Sequence, residues 1–342
     1  AGWLALAAGR PCFNLDTFLL EKKQVIQSFL SHTRQGDLAL IEGNRGIHDG
    51  IDIAGSTSSA EVAKLLGTPV ILCADCGKTT RTMAAIISGC LYFDRNVNIR
   101  GVILNRVGSP RHEVMARAAL TATGVPVLGA VARHASLAMP ERHLGLVQAG
   151  EHADLEAFLE NAAGIVGNSV DLDALISAAA GLPEPGSVAH LPPLGQRIAV
   201  ARDIAFSFAY PHLLEGWREQ GAELSFFSPL ADEAPDADCD AVYLPGGYPE
   251  LHADTLSRAS SFAGEMKSAA QSGKLIYGEC GGYMTLGTAI IDADGNSHRM
   301  LGLLPVETSF AARKLNLGYR RFTPLAGTPW NTPLTGHEFH YS

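Results

Sequence analysis

With 342 residues, 46% of them hydrophobic and 18% charged, the chain is long enough for two hydrophobic cores and has the composition of a compact α/β protein. A formal net charge of −9, with 26 Lys and Arg dispersed along the chain, excludes the concentrated positive field that nucleic-acid backbones require. The 6 cysteines are too sparse for a disulfide scaffold, the 12 histidines lack metal-ligand spacing, and apolar runs such as Thr68 to Ala74 are too short to cross a bilayer, so no membrane partner and a cytoplasmic location are expected.

In chain order, LALIEG (38–43) reads as a strand, Glu61 to Leu66 as a helix, and TPVILCAD (68–75) as a second strand. A helix near Thr82 to Phe93, the strand IRGVILNRV (99–107), a helix near His112 to Thr123 and the strand VPVLGAV (125–131) follow. Short continuous apolar strands alternating with helices predict a parallel sheet covered on its faces. Cys73 and Cys76 form a C-x-x-C with no second pair, so both are read as core packing. CGKTT (76–80) imitates the end of a phosphate-binding loop, but Leu72 stands where that loop needs glycine, and the segment is rejected as a cradle.

The stretch 181–196, GLPEPGSVAHLPPLGQ, is too rich in Pro and Gly to continue a helix or sit inside a sheet and is read as a linker. It separates a domain over 1–180 from one over 197–342. In the second, RIAVARD (197–203), AELSFFSP (222–229), DAVYLPGG (240–247) and KLIYGECGG (274–282) read as strands and their following turns. Helices are expected near Tyr210 to Gln220 and Asp254 to Gln271.

GECGGYMTLG (278–287) sets Cys280 on a strand-to-helix turn flanked by Gly278, Gly281 and Gly282, where glycine permits a sharp turn and leaves room for a substrate. At a helix N-terminus the thiol is expected to have a lowered pKa, as a nucleophile would; a structural cysteine in a tight turn is the alternative. LPGGYPE (244–250) follows another strand and can aim the Gly246 and Gly247 amides at a developing oxyanion. From residue types alone, His337 and His340 in GHEFHYS (336–342) are candidate bases, with Glu338 to orient them.

Together LPGGYPE and GECGGYMTLG resemble the class I glutaminase domain of cobyrinic and cobyric acid synthases, in which the cysteine attacks the side-chain amide of glutamine. NLD (14–16), IEGNRGIHDG (41–50), GVILNRVGS (101–109) and MPERHLGL (139–146) resemble, in the same order, the dethiobiotin-synthetase-like ATP domain of the cobyrinic acid a,c-diamide synthase family, glutamine-hydrolysing. The resemblance implies two domains. The first is a P-loop NTPase-type, parallel-sheet ATP-binding/amide synthase domain; the second is a class I glutamine amidotransferase-like α/β domain. It implies a ligase that uses ATP, Mg2+ and glutamine to amidate the a and c acetates of cobyrinic or hydrogenobyrinic acid in cobalamin biosynthesis.

Carried over by position, Cys280 is the nucleophile, Glu42 serves Mg2+ and ATP, Asn105 contacts adenine, Asp49 lies by the reacting carboxylate and Asp16 is a second metal candidate. His143 is left as either a packing or a substrate-contacting residue. The family's phosphate loop precedes the motifs seen here, Leu4 stands where many relatives carry a histidine, and the family's catalytic histidine lies beyond GHEFHYS. The base is therefore unassigned, and the chain is read as a fragment inactive by itself. A related tetrapyrrole such as sirohaem or nickel sirohydrochlorin, or a non-catalytic relative that binds nucleotide or macrocycle, remains the alternative. A homodimer is left open.

Overall fold

A computed structural model describes all residues except 1, 35, 45, 140, 143, 144, 148, 153, 185–190, 313 and 342, and the side chains of 141, 142, 145, 146 and 150. Expectations for His143, for Arg45 of the 41–50 motif and for the middle of the 181–196 stretch lie outside the described residues. The chain divides into two compact units, Ala1–Val188 and Ala189–Ser342. No helix among the described residues is long and apolar enough to cross a membrane.

The first unit runs α1 (Gly2–Ala8), α2 (Lys22–Thr33), α3 (Ser59–Leu66), β1 (Val70–Asp75), α4 (Arg81–Phe93), β2 (Ile99–Val107), α5 (Pro110–Leu120) and β3 (Val127–Ala132). A short antiparallel pair, β4 (Glu141–Arg142) and β5 (Gly145–Leu146), leads to α6 (Leu155–Ser169) and α7 (Leu172–Ser177). Strands β1, β2 and β3 form a parallel sheet in that order. Its core packs Met83 and Ile87 of α4 and Ala116 and Leu120 of α5 onto Val102, Leu104 and Val107 of β2. Helix ends follow local chemistry: Ser109 accepts from the His112 amide with Pro110 at the first helical position of α5, and Gly67 closes α3 in the left-handed region.

Two expectations fail in this unit. LALIEG is not a strand: residues 38–43 pair with nothing in the sheet, and Leu40 is 83% exposed. An apolar run becomes a strand only when its backbone finds a ladder partner. Cys73 is exposed although Cys76 is buried, because strand alternation turns Leu72 and Ala74 toward α4 and α5 and Cys73 to the other face.

The second unit begins with β6 (Arg197–Ala201), α8 (Pro211–Glu219), β7 (Glu223–Phe227) and β8 (Ala241–Leu244). After these come α9 (Ala253–Arg258), α10 (Ser260–Gln271), β9 (Leu275–Gly278) and α11 (Gly281–Leu286). The parallel sheet has order β7-β6-β8-β9. One face is covered by Phe262 and Met266 of α10, and the other carries Trp217 of α8 packed edge-on against Tyr243. A small mixed sheet of β10 (Ala289–Ile291), β11 (Ser297–Arg299) and β12 (Glu307–Ser309) follows, then an antiparallel hairpin of β13 (Asn316–Phe322) and β14 (Leu334–His340).

The single helix expected from Asp254 to Gln271 is two. Ala259 leaves helical geometry at ψ 83°, and the Asp232 carboxylate accepts from the Phe262 amide, capping the second helix afresh.

Candidate functional site

In the second unit the carboxyl ends of β8 and β9 carry the two glycine-rich turns. Cys280 follows β9 after the single residue Glu279 and stands at φ 49° and ψ −114°, a left-handed conformation that costs an L-residue about 1–3 kcal/mol. Neighbours hold it there. The Glu279 amide donates to the Leu244 carbonyl at 3.2 Å, and the Gly282 amide donates to the Glu279 carbonyl at 2.8 Å. Gly282 must be glycine, since a Cβ there would lie 1.9 Å from the Leu244 oxygen. At Gly247 a Cβ would lie 2.0 Å from the Ala205 oxygen. The turn after β8 is thus pressed against the loop after β6, where the Phe208 amide also donates to the Gly246 carbonyl at 2.9 Å.

The backbone amides of Gly247 and Gly281 both lie close enough to the Cys280 sulfur to favour its thiolate as hydrogen-bond donors. Gly246 adjoins the same side chain: a Cβ on it would stand 3.1 Å from Cys280 Cβ. The amide of Gly281 is the donor that sequence reading did not assign; its signal is its position, directly after a cysteine on a strand-to-helix turn.

The electrostatics differ from the sequence expectation. The thiol opens to solvent, yet surrounding protein desolvates it, and burial pushes its pKa up; the Gly281 and Gly247 amides oppose this, and the Glu279 and Glu250 carboxylates add to it. The six-residue α11 does not reverse the sign. With the thiol pKa raised, alkylation of Cys280 by iodoacetamide is expected to be slower at neutral pH than at an ordinary exposed thiol and to accelerate as the solution becomes alkaline. A rate flat from pH 6 upward, measured by mass spectrometry of the Cys280 peptide, would contradict this. An attacking thiol in this state needs a base.

Among the described residues no histidine is hydrogen-bonded to Cys280. His340 Nε2 instead lies 2.9 Å from Glu338, which also pairs with Arg320, and His337 meets Tyr319 edge-on within the β13–β14 hairpin.

In the first unit the carboxyl ends of β1 and β2 are tied together. Asp75 pairs with Arg106 at 2.8 Å, Asn105 Oδ1 accepts from the Arg106 amide, and Arg106 itself has φ 58°. His112 bridges two loops: Nδ1 accepts from the Gly108 amide at 3.1 Å, so Nε2 carries the proton and donates to the Thr79 carbonyl at 2.5 Å. Sequence reading passed over His112, whose role shows only once the loops meet. Three of the CGKTT amides are engaged within the protein and are not presented to a phosphate: Cys76 with the Asn105 carbonyl, Gly77 with Asp75 and Thr79 with the Cys76 carbonyl.

Glu42 and Asp49 are exposed, and both lie on irregular chain, since LALIEG forms no strand. Asp16 Oδ1 accepts from the Phe18 and Leu19 amides at 2.8 and 3.1 Å, closing a turn. The described residues bring no three His, Cys, Asp or Glu together for a metal. Magnesium on a nucleotide needs only one or two carboxylates besides phosphate oxygens, and Glu42, which has no hydrogen bond or ion pair among the described residues, fits that use.

Residues 197–342 match the family described as CobB/CobQ-like glutamine amidotransferase domain, and residues 14–141 match the AAA domain family. A hydrogenobyrinate a,c-diamide synthase from Brucella abortus is 55% identical over 340 residues, covering 98% of this chain and 78% of the relative. The chain belongs to the hydrogenobyrinate a,c-diamide synthase family. Members so named from Rhizobium meliloti and Rhodobacter capsulatus are 51% and 46% identical, over 98% and 99% of this chain and 78% and 79% of their own. In this member of the hydrogenobyrinate a,c-diamide synthase family, Asp16, Glu42, Asp49 and Asn105 fall in the stretch matching the AAA domain, and Gly246, Gly247 and Cys280 in the amidotransferase match.

Proposed function

We propose that the protein is an ATP-dependent, glutamine-hydrolysing ligase that converts the a and c acetates of hydrogenobyrinic or cobyrinic acid to amides in cobalamin biosynthesis. The observation that carries the glutaminase half is the convergence of the Gly247 and Gly281 amides on the sulfur of a strained Cys280. Relatives of that printed name at 46–55% identity support the macrocycle.

In this reading the Cys280 sulfur attacks the side-chain amide carbon of glutamine. The oxyanion that forms accepts from the amides of Gly247, with Gly246 shaping the turn, and of Gly281. Ammonia leaves, and water hydrolyses the thioester to glutamate. In the other half a carboxylate of the macrocycle takes the terminal phosphoryl group of ATP, which turns a poor leaving oxygen into a good one, and ammonia displaces phosphate. Asn105 holds the adenine and Asp49 lies beside the reacting carboxylate. Glu42, with Asp16 as a second carboxylate, would hold Mg2+, which would supply neutralisation of the phosphate charge. A reaction that consumes ATP and glutamine fits a cytoplasmic location.

The direct test is amide formation by the full-length protein from hydrogenobyrinic acid, cobyrinic acid, sirohaem and nickel sirohydrochlorin, each with ATP and glutamine. Diamide from the first or second supports the reading; turnover of the last two alone, or of none, overturns it. Asn105→Ala is expected to raise the KM for ATP about tenfold, as loss of one or two hydrogen bonds to a base would. Glu42→Gln is expected to steepen the Mg2+ requirement while leaving glutaminase turnover unchanged. Unchanged ATP and Mg2+ titrations in both variants would remove these residues from the nucleotide site.

A further inference from the structure

Glu279 is a half-buried carboxylate beside the nucleophile that no step above uses. Strand alternation and the pairing of Tyr243 with Tyr277 put Tyr243, Tyr277 and Glu279 on one face of the sheet. The Tyr243 hydroxyl donates to one oxygen of Glu279 and the Tyr277 hydroxyl to the other at 3.4 Å. The phenols are fixed in turn: Trp217 packs on Tyr243 and Trp330 on Tyr277, both edge-on, and the two tyrosine rings stack at 5.7 Å. An apolar residue would fill this place without the cost of desolvating a carboxylate, so a carboxylate here calls for a use.

We propose that Glu279 is a positioning residue for the nucleophile turn. Its carboxylate, clamped by the Tyr243 and Tyr277 hydroxyls, fixes the residue before Cys280 and so holds the sulfur under the Gly247 and Gly281 amides. The inference rests on the reading of Cys280 as the glutaminase nucleophile. The clamp adds a third anchor to the two backbone hydrogen bonds of Glu279, all on the upstream side of Cys280, whose backbone is strained. Burial raises the pKa of Glu279 and the two phenol donors oppose that shift; the phenols themselves are pushed up. The groups facing it are Tyr243 from β8, Tyr277 from β9 and the Cys280 thiol, with Tyr210 acting on both phenols and Glu250 on the thiol. Because the Glu279 charge raises the thiol, removing it has a signature that simple packing lacks.

Two variants separate shape from charge. Glu279→Gln keeps an oxygen for Tyr243 and is expected to hold the glutaminase kcat within about threefold, while the pH profile of Cys280 alkylation moves to lower pH. Glu279→Leu is expected to lose kcat by about 10- to 100-fold with KM for glutamine within about threefold, the effect of a displaced reacting group. Ammonia-dependent amidation should stand in both. Wild-type kcat in Glu279→Leu, or an alkylation profile unmoved in Glu279→Gln, overturns the proposal. If Glu279→Leu does not fold, Tyr243→Phe carries the kcat test, and wild-type kcat there overturns it equally. Cys280→Ser keeps the two readings apart: glutamine-dependent turnover that survives in it defeats the nucleophile assignment, whereas turnover lost there but intact in Glu279→Leu defeats only the clamp.

Discussion

Cys280→Ser is expected to abolish amidation with glutamine, by about 10³-fold or more, while amidation with ammonium salts proceeds at the parent rate. The size of the effect follows from the site. A thiol whose pKa burial has raised still ionises far more readily than a serine hydroxyl in the same desolvated turn. The substitution is almost isosteric, so the turn and the amides of Gly247 and Gly281 should persist, and the loss reports chemistry rather than folding. The measurement compares amide product from the two nitrogen donors under saturating ATP and macrocycle. Equal loss with both donors would place the defect elsewhere, and no loss with glutamine would retire Cys280 as the nucleophile.

The second large effect is steric. Gly282→Ala puts a methyl 1.9 Å from the Leu244 oxygen and 2.6 Å from its carbonyl carbon. Neither is the end of a flexible side chain, so β8 and the turn after β9 must separate. Overpacking of this kind costs about 1–3 kcal/mol or more, and a shift of about 1 Å in a reacting group costs about 100-fold in rate. The expected outcome is a lowered melting temperature together with a glutaminase rate reduced about 100-fold. Gly264→Ala in α10 is the control: a Cβ there meets nothing within 4 Å, and replacing a helical glycine should stabilise slightly. A Gly282→Ala protein with parent activity would mean the turn is not so tightly seated.

The parts legible in the sequence were those with strong local signals. Short apolar strands bounded by turn residues located β1 to β3 and β6 to β9, and the glycines around Cys280 announced a sharp turn before any contact was known. LALIEG carried an equally good apolar pattern and formed no strand, since pairing is a property of the partner as much as of the run. The break at Ala259 depended on Asp232, 30 residues away in sequence, whose carboxylate no helical periodicity could foresee. The direction of the Cys280 titration was misread for a similar reason. A helix terminus is visible in sequence, whereas desolvation by surrounding chain and the nearness of Glu250 and Glu279 are not. Glu279 itself read as one polar letter between a strand and a cysteine, and only the facing tyrosines reveal where its carboxylate goes.

The aromatic packing beneath the cysteine turn has a practical consequence. Of the 3 tryptophans, Trp217 and Trp330 each touch a tyrosine that is hydrogen-bonded to Glu279, while Trp3 donates to the Val147 carbonyl in the other unit. With Trp3 replaced by phenylalanine, indole emission becomes a built-in optical gauge of the second unit alone. Thioester formation or alkylation at Cys280 could then be followed in real time without attaching a dye.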